Sequence, residues 1–158
     1  MDCRHLRPGG WFELHEVYHC PISENGPLPP SHLVAQYWNL INEGLTKLGV
    51  QFHAVAEGRM KTMMQECGYV NVQERVLRIP IGTWPKNRVL KAVGLHWRTI
   101  LLEGIQAIAL GPLIRGCGWS REQVELFLIQ VRRAYLDNDC LAFMPLHIVF
   151  GQKPTTNC

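Results

Sequence analysis

An α/β fold with a large helical insertion is what this sequence predicts, and three observations predict it. Extended segments rich in β-branched and aromatic residues lie at Trp11 to Val17, residues 69–81 and residues 141–150. Apolar residues at three- and four-residue steps mark helices between them. The long stretch between the second and third strands, residues 84–115, is helical in pattern and unusually apolar.

The elements follow in order. Pro8 cannot continue a helix and Gly9-Gly10 can reach positive φ, so Leu6-Arg7-Pro8-Gly9-Gly10 is a sharp turn into the first strand. Trp11, Phe12, Leu14 and Val17 give that strand its bulk. Glu13, His15 and Glu16 cluster toward its C-terminal end, where open α/β sheets place ligands. Pro21, Gly26, Pro27, Pro29 and Pro30 mark an extended loop, and Ser31 is placed to cap the next helix. Leu33, Val34, Tyr37, Trp38, Ile41, Leu45 and Leu48 share one helix face, stopped by Gly49. Met60, Met63, Met64 and Cys67 repeat the spacing up to Gly68, and methionines so spaced more often fill a core than line a ligand site. Past the second strand, Leu90, Val93, Trp97, Leu101, Ile105 and Ile108 predict two helices or one bent one. Gly94, Gly104 and Gly111 weaken that run, and Pro112 should bend or end it. Ser120 and Gln123 form a capping box for a last helix through Tyr135, and a final strand follows. The expectation is a single domain over residues 1–154 with a loose tail at 155–158.

Composition narrows the function classes. With 158 residues and 47% hydrophobic content, the chain can bury a core as one ordinary domain. A net charge of +3 with Lys and Arg scattered along the chain gives nucleic-acid binding no support. The six cysteines are dispersed, without a CxxC pair or zinc-like His spacing, so they read as reduced thiols and no metal is expected. The first residues carry no apolar signal core, and Gly111 and Pro112 interrupt the greasiest stretch. The expectation is a cytoplasmic protein without a membrane span.

Candidate chemistry is sparse. His15 beside Glu16 at a strand end is the best general-base pair, with His53 in a loop as a further catalytic candidate and His96 a lesser one, although a lone histidine is more often merely hydrogen bonded. Trp38, Trp84, Trp97, Tyr37 and Phe143 can line an aromatic cavity for a flat or polycyclic metabolite, or equally be core. Arg98 and Met144 complete the substrate-binding set with Trp38, Trp97 and Phe143. Cys20 and Cys117 lie in loops with no cation or helix start beside them to activate a thiolate.

Five ordered motifs carry a resemblance: Arg7-Pro8-Gly9-Gly10-Trp11-Phe12-Glu13-Leu14, Cys67-Gly68-Tyr69-Val70-Asn71-Val72, Pro80-Ile81-Gly82-Thr83-Trp84-Pro85-Lys86, Gly118-Trp119-Ser120-Arg121-Glu122-Gln123-Val124 and Phe150-Gly151-Gln152-Lys153-Pro154. Together they resemble the C-terminal half of fungal class I S-adenosylmethionine (SAM) dependent methyltransferases, those related to the velvet-associated regulator of secondary metabolism. One departure lies before Met144-Pro145, where Cys140 and Ala142 replace polar positions of a His-x-Tyr sequence. The resemblance implies a sheet of order 3-2-1-4-5-7-6, of which this chain would hold a residual three-stranded 5-7-6 end, with strand seven antiparallel between its neighbours. It further implies a truncated methyltransferase-like protein of a secondary-metabolite pathway. The glycine loop and acidic residue that hold SAM in the full-length family are not among these residues, so no cofactor is expected for this chain alone. An uncovered strand edge at Trp11 to Val17 implies a homodimer, or a complex with another methyltransferase-like chain. A small-molecule metabolite is the other expected partner, and family resemblance adds the nucleus as a location. Two alternatives stand beside this reading: a SAM-independent cyclase, isomerase or dehydratase with an aromatic-lined pocket, and a non-catalytic partner of a full-length methyltransferase.

Overall fold

The structure, a computed structural model, describes residues 5–51, 58–137 and 141–155. The expected tail at residues 155–158 thus falls almost wholly outside the described residues. In chain order the elements are β1 (Trp11–Val17), β2 (Ile22–Ser23), β3 (Gly26–Pro27), α1 (Leu33–Lys47), α2 (Arg59–Glu66), β4 (Val70–Pro80), α3 (Arg88–Leu110), a π-helical turn (Gly111–Gly116), α4 (Arg121–Leu136) and β5 (Ala142–Gln152). They fall into two compact units, one of Met1–Tyr18, Ala54–Leu77 and Leu146–Cys158, the other of His19–His53 and Arg78–Pro145.

In the first unit the glycine turn forms as its residues require. Gly9 takes φ +75°, its N–H donates to the Lys153 carbonyl at 3.0 Å, and the Lys153 N–H donates to the Gly10 carbonyl at 2.8 Å. These bonds clamp the entry of β1 to the exit of β5. β1 then runs antiparallel to β5, from Trp11 opposite Gln152 to Val17 opposite Leu146, and β4 also pairs with β5. Strand alternation sends Phe12 and Leu14 to one face, where Met60 and Met64 of α2 close over Tyr69 and Val149. Gly68 at φ +83° ends α2 as a left-handed stop. Met60 and Met64 of α2 pack this core while Met63 is exposed, and Gly151 admits Met64: a Cβ there would stand 2.8 Å from its sulfur.

In the second unit α1 buries Val34, Tyr37, Trp38 and Ile41. Its cap is His32 and not Ser31, because the His32 N–H donates to the Pro29 carbonyl at 2.8 Å and the helix starts one residue later, with the Val34 N–H donating to His32 Nδ1 at 3.2 Å. The Trp38 indole N–H donates to the Tyr135 hydroxyl at 2.8 Å, and the Tyr37 hydroxyl donates to the Ile105 carbonyl at 3.0 Å. Burial pushes the Tyr37 phenol above its ordinary range, with Arg132 opposing.

α3 is one helix of 23 residues, and Pro112 does not end the helical run. The ladder widens to π geometry, so that the Pro112 carbonyl accepts from the Cys117 N–H at 3.0 Å. Two glycines permit this turn to press on α1. A Cβ on Gly44 would lie 2.3 Å from the Pro112 carbonyl oxygen, and one on Gly116 would lie 2.2 Å from that of Gly44. The 29 residues from Arg88 to Gly116 are long and apolar enough, by length and composition, to cross a membrane, an 18-residue window within them having mean hydropathy 1.2. Leu101, Ile105, Ala109 and Leu113 of this run are buried, and α3 packs against α4. The last helix keeps its capping box at Ser120 and Gln123.

The three-stranded sheet expected from resemblance is corrected to five strands. β2 and β3 form a hairpin inside what the prolines read as a loop, and Ile22-Ser23 pairs with Phe143-Ala142 at the start of β5. Gly26 at φ +110° and the Ser23 hydroxyl donating to the Gly26 carbonyl at 3.1 Å close this turn. Strands of two residues are too short to show alternation.

Candidate functional site

His15 and Glu16 adjoin in sequence, and a strand therefore points them to opposite faces. His15 shares its face with Glu13 and pairs with that carboxylate through Nε2, both side chains being about half exposed (55% and 53%). An open pair of this kind contributes little energy. The third catalytic candidate, His53, lies outside the described residues.

Glu16 finds a different histidine. In the register of β1 on β5 it stands directly opposite His147, at the C-terminal end of β1. His147 Nδ1 lies 2.7 Å from Glu74 Oε1 on β4, with side-chain exposures of 15% and 20%. A carboxylate accepts, so Nδ1 is the donor of this bond and orients the ring. The Tyr18 ring meets the imidazole edge-on, with centroids 6.2 Å apart. This cluster of Glu16, Tyr18, Glu74 and His147 is the better acid-base arrangement in the first unit. No sequence spacing could find it, because Glu74 and His147 come together only through strand pairing.

The substrate-binding candidates all fall in the second unit. Trp38 and Met144 are core, with exposures of 2% and 0%. Trp97 is half-buried, and its indole N–H has no hydrogen-bond partner among the described residues. Arg98 lies against Gly82, its Nη1 3.2 Å from where a Cβ would stand. Of the set, Phe143 reaches a cavity. It lines a cleft of about 640 Å³ with Arg78, Trp84, Lys86, Leu90 and Glu24. The Arg78 guanidinium sits 4.7 Å from the Phe143 ring centroid, and the Trp84 indole N–H donates to the Ala142 carbonyl at 3.1 Å. Trp84, weighed as a cavity residue from the sequence, is there, while Arg78 and Lys86 were not singled out.

A SAM site needs a glycine cradle opening onto a helix start. The glycine pair at Gly9-Gly10 opens onto β1 instead, and a Cβ on Gly10 would meet the Arg7 carbonyl oxygen at 2.9 Å and Leu6 at 3.0 Å. That turn is filled by its own chain, so Gly9-Gly10 is not such a cradle. Nor is Cys117 an activated thiol: burial first, then the Glu43 carboxylate, push its pKa up, with Lys47 opposing. Among the described residues no group of three or more His, Cys, Asp or Glu side chains gathers in a way that could hold a metal.

No family model matches this sequence. Curated relatives do. The chain is 32% identical over 150 residues to methyltransferase pytC of Aspergillus terreus, covering 95% of this chain and 46% of the relative. It is 27% identical over 149 residues to the probable methyltransferase tdiE of Emericella nidulans, covering 94% and 46%. Against the secondary metabolism regulator laeA of Monascus pilosus it is 26% identical over 155 residues, covering 97% and 41%. The chain is therefore homologous over nearly all its length to fungal methyltransferases and methyltransferase-like regulators of secondary metabolism, and it spans about half the length of those relatives.

Proposed function

We propose that these residues form the substrate-side portion of a methyltransferase-like protein acting in fungal secondary metabolism, with the SAM cradle supplied by sequence other than these 158 residues. In this reading β1, β5 and β4 correspond to strands five, seven and six of the class I sheet. The observation that carries it is the pairing of β1 antiparallel to β5, with β4 also on β5 and a helical insertion between those two strands, in a chain that matches about half of each relative. The test is a graft of this chain in place of the matched stretch of pytC, titrated with SAM by calorimetry. One SAM bound per folded graft is expected, while the 158-residue chain alone gives no heat. A folded graft that takes no SAM contradicts the reading.

A second reading, SAM-independent isomerisation, cyclisation or dehydration of a pathway intermediate, is favoured by the Glu74–His147 pair. An imidazole oriented by a carboxylate is the general-base arrangement, worth about 10²–10⁴-fold in rate. If this reading holds, His147→Gln removes turnover of the intermediate by about that factor and His15→Ala leaves it unchanged. Equal losses in both variants contradict it. A third role, as homodimer or as partner of another methyltransferase-like chain, uses the strand Trp11–Val17.

A further inference from the structure

The cleft of about 640 Å³ in the second unit has the chemistry of a specific site. Its walls combine two cations, Arg78 and Lys86, with one anion, Glu24, so the lining carries one excess positive charge. Among the described residues neither Arg78 nor Lys86 has an ion-pair partner. Arg78 is held by the ring of Phe143 at 4.7 Å, and a guanidinium stacked on a ring face keeps its N–H edge for a second partner. Phe143 is itself buried, at 3% exposure, so the stack has a firm base. Trp84 is pinned by its indole bond to the Ala142 carbonyl, and Leu90 adds an apolar wall. An aromatic wall fixed in orientation beside cations lacking counter-charges recognises a planar ring bearing an acid group.

We propose that this cleft binds a small aromatic carboxylate, its ring against Trp84 and Leu90 and its carboxylate on Arg78 with Lys86 in support. Calling that ligand the substrate rests on the methyltransferase-like reading; the binding itself does not. The cleft volume suits a one- to three-ring acid, since ligand pockets run from about 300 to 1,000 Å³. Glu24 sets the sign of selectivity further, because a second acid group near it would be repelled.

The probe is 2-naphthoate, titrated into the full 158-residue chain by tryptophan fluorescence, against its neutral counterpart 2-naphthamide. One-to-one binding of the acid at least about tenfold tighter than the amide is expected, the size of one lost charge-assisted hydrogen bond. Arg78→Met brings the two affinities to within about twofold, and Lys86→Met lowers acid affinity about threefold. Circular dichroism checks that both variants fold. Equal binding of acid and amide by the unaltered chain overturns the proposal, as does no binding of the acid up to its solubility or an unchanged preference in folded Arg78→Met. Should Arg78→Met fail to fold, the acid-to-amide ratio and Lys86→Met still decide. SAM is absent throughout, so failure here leaves the methyltransferase reading standing, and failure of the pytC graft leaves the cleft standing.

Discussion

At residue scale, two helical glycines predict opposite outcomes. Gly44→Ala gains about 1 kcal/mol of helix propensity but drives a methyl group to 2.3 Å from the Pro112 carbonyl oxygen, which is backbone and cannot swing aside. Overpacking costs about 1–3 kcal/mol, and the upper end applies here, so urea unfolding should show a net loss of about 2 kcal/mol. Gly104→Ala meets only Ile108 Cδ1, at 3.5 Å, and should instead gain up to about 1 kcal/mol. The sequence marked Gly104 as a weak point of its helix and did not single out Gly44, because what makes Gly44 matter is a neighbour distant in the chain. The acid-base residues teach the same lesson. Adjacency suggested His15 with Glu16, but a period of two separates them, and the more enclosed pair, His147 with Glu74, spans 73 positions.

At element scale, the capping box of α4 was fully legible: the Gln123 N–H donates to the Ser120 hydroxyl at 3.2 Å, and the Ser120 N–H donates to Gln123 Oε1 at 2.8 Å. Ser120→Ala should cost about 1 kcal/mol, read as a melting temperature about 2–4 °C lower. The same cap holds the Glu122 carboxyl below its usual range, through a backbone hydrogen bond first and the Ser120 hydroxyl second. Its sign follows: this contribution is present above the ordinary carboxylate range and is lost as pH falls through the lowered value, so the gap between Ser120→Ala and the unaltered chain narrows in acid. The helix stops at Gly49 and Gly68 were equally readable, since both take positive φ. What stayed hidden were features set by closure of the fold: the two-residue strands β2 and β3, the His32 cap and the π turn that carries Pro112. None has a local periodicity to announce it.

At the scale of the whole molecule, the mixed α/β class and the helical insertion between the second and third long strands were legible from periodicity alone. The number of strands was not, and the candidate site was legible only in Phe143 and Trp84. Among the described residues β1 pairs on one side only, with β5, and its outer face carries Trp11 at 52% exposure beside the open Glu13–His15 pair. An unpaired strand edge is a template for another strand. The proposed homodimer or partner complex uses this edge. Light scattering of the 158-residue chain across a wide concentration range tests it most directly. The weight-average mass should rise toward a dimer, and His15→Lys, which places a lysine on the edge strand beside Glu13, should return it to a monomer. A monodisperse monomer at every concentration would contradict the account.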